Sequence, residues 1–117
     1  PGLNIPGNYQ DWDPANRQTV IFYRKSDEIY EGYVYMGLDE NFYKFARGSW
    51  DENWGDDEPD GILNPNGTDI ASPGGIGMYF LHADLNALEH SAEQQRGHRR
   101  CYAYWLGRRY RYDLGCR

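Results

Sequence analysis

Residues 1–93 contain no stretch in which apolar side chains keep recurring at the 3.6-residue spacing of a helix. They carry instead short runs of β-branched and aromatic residues, separated by turn formers. That pattern restricts the chain to an all-β fold, and the regular spacing of the runs predicts a sandwich. Thr19–Arg24 reads as a strand, Ser26-Asp27-Glu28 as a turn, and Ile29–Met36 as the next strand of an antiparallel hairpin. Apolar residues fill both parities of Ile29–Met36, so alternation leaves its core face open. After a turn at Gly37–Glu40 comes a third strand, Asn41–Arg47. With Tyr43 and Phe45 inward, Phe42, Lys44 and Ala46 point outward. Residues 51–75 are mostly Asp, Glu, Asn, Gly and Pro, with candidate edge strands at Ile62-Leu63 and Ile70-Ala71. Gly77–Leu85 is the last clear strand, with Tyr79, Leu81, Ala83 and Leu85 on one parity. Leu88–His90 is a candidate extension after a turn at Asn86. No internal repeat is present.

Charge divides the chain. Residues 1–93 hold five basic and seventeen acidic side chains, a balance of −12. Residues 94–117 hold seven arginines against Asp113 alone, a balance of +6, together with both cysteines, Cys101 and Cys116. The first segment is therefore expected to be one domain that folds without disulfides. Its acidity argues against nucleic acid, whose phosphates it repels. No run approaches the roughly 20 apolar residues of a membrane span. The chain begins at Pro1 rather than Met, which reads as a piece of something longer. The abrupt change of sign and the two stray cysteines point to 94–117 as the product of a shifted reading frame. One permissible codon choice for Gly97–Arg117, read one nucleotide later, yields an acidic, turn-rich peptide like the rest of the chain. On that reading the arginines and Trp105 belong to no site, and the segment is expected to be disordered or to fold only locally.

Trp12 lies in Ile5–Pro14, among Pro6, Gly7, Asn8, Asp11, Asp13 and Pro14, with Tyr9 as its one hydrophobic neighbour. Such flanks predict an indole held by a loop rather than by a core face. An indole offers a flat apolar plate and one N–H donor, which suits the C–H face and polar rim of a sugar ring. Trp50 follows the third strand, and Lys44 leads towards it from that strand's outward face. Two aromatic plates and one cation make a minimal carbohydrate site, and plates set at an angle favour a curved glucan over a flat chain. Arg47, Tyr9 and Asn53 are further hydrogen-bonding candidates, and Trp54 is a further aromatic one. Against this, Trp50 and Trp54 also suit core anchors at a strand end.

The ordered pieces Ile5–Trp12, Tyr30-Glu31-Gly32-Tyr33-Val34, Tyr43-Lys44-Phe45 with Trp50, Asp60-Gly61-Ile62-Leu63, Gly67-Thr68-Asp69-Ile70 and Gly77-Met78-Tyr79-Phe80 with Asp84-Leu85 carry a resemblance. Residues 3–92 resemble the SusE/SusF-type domains of starch-binding outer-membrane lipoproteins of Bacteroidetes. The resemblance implies an immunoglobulin-like β-sandwich repeated in tandem, which binds α-glucan at the cell surface without cleaving it. Attachment to the membrane would then run through a lipid anchor outside this chain. The family's aromatic pair and basic residue fall on Trp12, Trp50 and Lys44. Other proteins of a glycan-uptake complex are implied partners, and some domains of the family lack a working site.

Other chemistries fit less well. The acidic stretch Asp51, Glu52, Asp56, Asp57, Glu58 and Asp60 lacks the offsets of an EF-hand and reads as a solvated loop, not a calcium site. Carboxylates so close together on one loop are poorly placed to flank a glycosidic bond, so no catalytic residue is assigned. His82, His90 and His98 show no metal spacing, no Ser/His/Asp or Cys/His arrangement stands out, and no cofactor is expected. A spacer of the same fold and a protein–protein module remain the rival readings.

Overall fold

The computed structural model describes residues 2–23 and 28–95. Arg24 to Asp27 and the segment 96–117, on which the reading-frame expectation falls, lie outside the described residues. The described residues form ten strands in chain order: β1 (Gly2–Asn4), β2 (Val20–Tyr23), β3 (Ile29–Met36), β4 (Phe42–Tyr43), β5 (Phe45–Ala46), β6 (Asn53–Gly55), β7 (Asn64–Pro65), β8 (Ile70–Ala71), β9 (Gly77–Asp84) and β10 (Glu89–Gln94). No α-helix occurs among the described residues, and the chain is all-β.

Eight strands form one sheet in the order β10-β9-β3-β2-β1-β5-β6-β7, and β4 pairs with β8 separately. Every pairing is antiparallel. The sheet curls until its ends meet. Ile62 bridges Glu89, the Leu63 N–H donates to the Leu88 carbonyl at 2.8 Å, and the His90 N–H donates to the Gly61 carbonyl at 3.0 Å. Wrapped inside are Leu3, Ile5, Ile21, Tyr30, Val34, Met36, Tyr43, Phe45, Leu63, Tyr79, Leu81 and Ala83. Burial of each large aliphatic or aromatic side chain contributes roughly 1.5–3 kcal/mol, so this layer drives the curl.

The hairpin of β2 and β3 forms as expected, with Phe22 opposite Glu31. β3 resolves the open question of its core face. Tyr30, Val34 and Met36 point inward, while Tyr33 and Tyr35 stand exposed. Gly32 shares the inward parity, and a Cβ there would meet Ile21 Cγ2 at 2.9 Å. Tyr79, Leu81 and Ala83 of β9 are buried as the alternation requires, and Leu85 packs against the same core.

Several boundaries move. The expected first strand opens at Val20, because Thr19 closes a 3-10 turn begun at Arg17. The expected third strand divides at Lys44 into β4 and β5, which serve different partners. Ala46 is buried rather than outward: β5 is paired on both edges, with β1 and β6, and its two residues, on opposite faces, are both buried. Ile70-Ala71 is a strand as expected, whereas Ile62 makes only a bridge and the strand proper lies at Asn64–Pro65. β10 is longer than the Leu88–His90 extension and returns antiparallel to β9. β1 and β6 have no counterpart in the sequence reading. Both are three residues long, too short for alternation to show.

Candidate functional site

The loop that carries Trp12 is fastened to β4. Gly7 bridges Tyr43, and the Lys44 N–H donates to the Pro6 carbonyl at 2.9 Å. Asn8 latches the same junction from both ends of its amide. Its Nδ2 donates to the Glu40 carbonyl at 3.0 Å, and its Oδ1 accepts the Phe42 N–H at 2.9 Å. Position 7 must be glycine, since an added Cβ would sit 2.3 Å from both the Phe42 carbonyl and the Tyr9 ring. Beyond a short 3-10 turn at Asn8–Gln10, Asp11 (φ 62°) and Trp12 (φ 55°) both adopt left-handed backbone. For a bulky residue that conformation is uncommon and costs roughly 1–2 kcal/mol.

Hydrogen bonds hold that strain in place. The Trp12 N–H donates to the Gly7 carbonyl at 2.8 Å. Gln10 Oε1 accepts the N–H groups of Gly7 (3.2 Å) and Asp13 (2.6 Å). Its Nε2 donates to the Asp13 carbonyl (2.8 Å) and to Thr19 Oγ1 (3.0 Å). Thr19 donates in turn to Asn4 Oδ1 at 2.9 Å, which ties the loop to β1. The loop is thus pinned at both ends, and Trp12 sits half-buried at its turn. Gln10→Ala is expected to cost about 1–2 kcal/mol, because several polar groups lose their partner together. Amide exchange at Gly7 and Asp13 should accelerate, and unchanged protection at both would remove Gln10 from this role.

Lys44 and Trp50 come together as their spacing suggested. Trp50 is 41% exposed, and the Lys44 ammonium stands over its ring, 5.7 Å from the centroid. That is within cation–π range and orients both groups. Asn53 steadies the turn below them: its Nδ2 donates to the Trp50 carbonyl (3.0 Å) and to Asn66 Oδ1 (3.1 Å). Because the Lys44 backbone bonds to Pro6, the Trp12 loop and the Lys44–Trp50 pair spring from adjacent chain.

The remaining candidates are engaged within the fold. The Arg47 guanidinium pairs with Glu28 (2.7 Å) and Glu52 (3.1 Å), donates to the Tyr30 hydroxyl (3.0 Å), and lies over Trp54, 5.6 Å from the ring centroid. Partial burial works to lower its pKa, but the hydrogen bonds to Glu28 and Tyr30 outweigh this and raise it. Trp54 packs on the core, as its anchor reading anticipated. The Tyr9 hydroxyl donates to the Ile5 carbonyl, and burial, with the nearby Tyr43, pushes its pKa far above the ordinary phenol value. Asn53 is buried.

The acidic stretch requires a correction. Asp51, Glu52, Asp57, Glu58 and Asp60 are exposed, but Asp56 is buried. Its Oδ2 lies 2.8 Å from His90 Nε2 and accepts the Gly61 N–H at 3.0 Å. The two side chains are 2% and 7% exposed. Burial alone would raise the Asp56 pKa; the hydrogen bonds from His90 and from the Gly61 and Asp60 backbone overcome that and hold it below the ordinary value. This pair is invisible in the sequence, since 34 positions separate the partners and closure of the sheet brings them together. His82 likewise meets Glu31 at 2.7 Å across paired strands. Among the described residues no group of three or more His, Cys, Asp or Glu could hold a metal ion. Compared with known proteins, the chain matches no family model and no curated protein.

Proposed function

We propose that this domain binds carbohydrate without cleaving it, with starch or a related α-glucan as ligand, at the bacterial outer-membrane surface. The observation that carries the reading is the exposed Trp50 ring with the Lys44 ammonium beside it. A pyranose resting on the indole covers its C–H face, while the ammonium donates to hydroxyls at the sugar's rim. Trp12 supplies the second plate. Its left-handed backbone supports this role, because strain of that kind is retained where it positions a functional group. Arg47, Asn53, Tyr9 and Trp54 shape the platform from beneath rather than meeting the sugar. The finer architecture we propose is the immunoglobulin-like sandwich implied by the family resemblance. The curled antiparallel sheet, doubled over one core, supports it. One shallow site gives modest affinity, and tandem copies raise it through effective concentration.

Titration of tryptophan emission with maltooligosaccharides, against β-linked oligosaccharides as controls, tests the reading. A saturable change with the α-linked series alone is expected. No response to either series favours a spacer domain, and release of reducing sugar would indicate an enzyme.

A second reading, a protein–protein module in a glycan-uptake complex, is favoured by the outer face of β2, β3 and β9. Phe22, Tyr33, Tyr35 and Met78 are all exposed there, and the Tyr33 and Phe80 rings lie 5.1 Å apart. An apolar area of this kind marks an interaction surface. A Tyr33→Ser, Tyr35→Ser variant that keeps its sugar response but loses a partner would establish that role separately.

A further inference from the structure

A cleft of about 420 Å³ opens between residues 56–61, residues 68–73 and β10. Trp12, Lys44 and Trp50 take no part in its walls, so it is separate from the aromatic platform. Three carboxylates line it, from Asp56, Asp57 and Asp69, with His90 as the one basic side chain among the described residues. Pro59, Ile70 and Pro73 add apolar surface to the same walls.

The Asp56–His90 pair is incomplete on its own. Asp56 Oδ2 and His90 Nε2 satisfy each other, but Asp56 Oδ1 and His90 Nδ1 are buried and have no hydrogen-bond partner. A buried carboxylate oxygen without a donor is costly, and a charged donor relieves it best. Tyr43, in the same wall, is held as a neutral phenol by its burial and by the charge of Asp56. The three carboxylates repel an anion. A neutral hydroxyl compound gains only ordinary hydrogen bonds there. An ammonium gains those bonds and the field of the carboxylates as well.

The geometry points to a second ligand site, for a compact organic ammonium ion with an apolar body, in the cleft walled by Asp56, Asp57, Asp69 and His90. The ammonium lies between the carboxylates. The body rests on Pro59, Ile70 and Pro73. Asp57 is already oriented for this, since its Oδ1 accepts the Thr68 N–H (2.9 Å) and hydroxyl (3.1 Å).

Three probes of one shape and different charge test the site: isobutylamine, isobutanol and isobutyrate, each titrated at neutral pH and constant ionic strength. The readout is the His90 ring resonance and the amide resonances of residues 56–61 and 68–71. Isobutylamine should shift them saturably, isobutanol about tenfold more weakly, and isobutyrate not at all. The variant carrying Asp57→Asn and Asp69→Asn keeps the acceptor for Thr68 and leaves the buried pair intact. Its affinity for isobutylamine should fall about tenfold. Equal response to all three probes, no response to the amine, or full affinity in the double variant would each overturn the proposal.

Discussion

Asp56→Ala is expected to destabilise the domain by about 3–5 kcal/mol, since each buried polar group left without its partner costs about 1–3 kcal/mol. The effect is large because the variant strands the buried His90 Nε2 and the Gly61 N–H at once. It also releases one clamp on the join between Gly61–Leu63 and Leu88–His90. Denaturant unfolding measures it, and Glu58→Ala, an exposed change in the same loop, should stay within about 0.5 kcal/mol. A loss of less than about 1 kcal/mol for Asp56→Ala would show the pair to be dispensable.

The same group sets a pH dependence with a definite sign. The folded pKa of Asp56 lies below its ordinary 3.8. Its contribution is therefore complete above that value and is lost as pH falls through the depressed one. Between about pH 5 and pH 2 the parent should lose stability more steeply than Asp56→Asn, which has no carboxylate to protonate. Parallel slopes for the two proteins would exclude Asp56 as the source.

Trp50→Ala should weaken maltooligosaccharide binding by about 30-fold or more, the effect of removing an aromatic anchor worth about 2 kcal/mol. Stability should change little, because Trp50 is 41% exposed and its ring meets the Lys44 ammonium rather than the buried core. Lys44→Met retains much of the side chain's length and removes the charge. It should cost less, about fivefold, because one exposed donor is lost while the plate remains. The order of the two variants matters: a larger loss for Lys44→Met would make the ligand an anion rather than a neutral glucan. Unfolding curves for both must overlay the parent if the losses are to be read as binding.

What the sequence made legible followed periodicity and turn chemistry. β9 shows clear alternation and ends one residue before the expected Leu85, while β3 lies at Ile29–Met36 as its β-branched and aromatic residues placed it, though alternation left its core face open. The Lys44–Trp50 contact was legible too, because the two positions are six apart across one strand end. β5 was misread on one side: Ala46 is too small to declare its environment, and burial on both faces of a strand leaves no alternation to follow. Gln10 as the brace of the Trp12 loop was invisible, since a polar residue in a turn gives no sign of which backbone groups it will meet. Asp56 was hidden by its company, one buried carboxylate in a run that is otherwise exposed.

The meeting of the two sheet ends has a bearing on how such domains live side by side. A sheet that stops in solvent presents a row of unused amide and carbonyl groups, to which a strand of another copy can add. Here Leu88 and His90 spend theirs on Leu63 and Gly61 of the same chain. The stretch of β10 beyond them carries Glu93 on its exposed parity, which repels a like-charged neighbour. Copies strung closely along one polypeptide would then stay separate folding units, protected from swapping strands with the module next door.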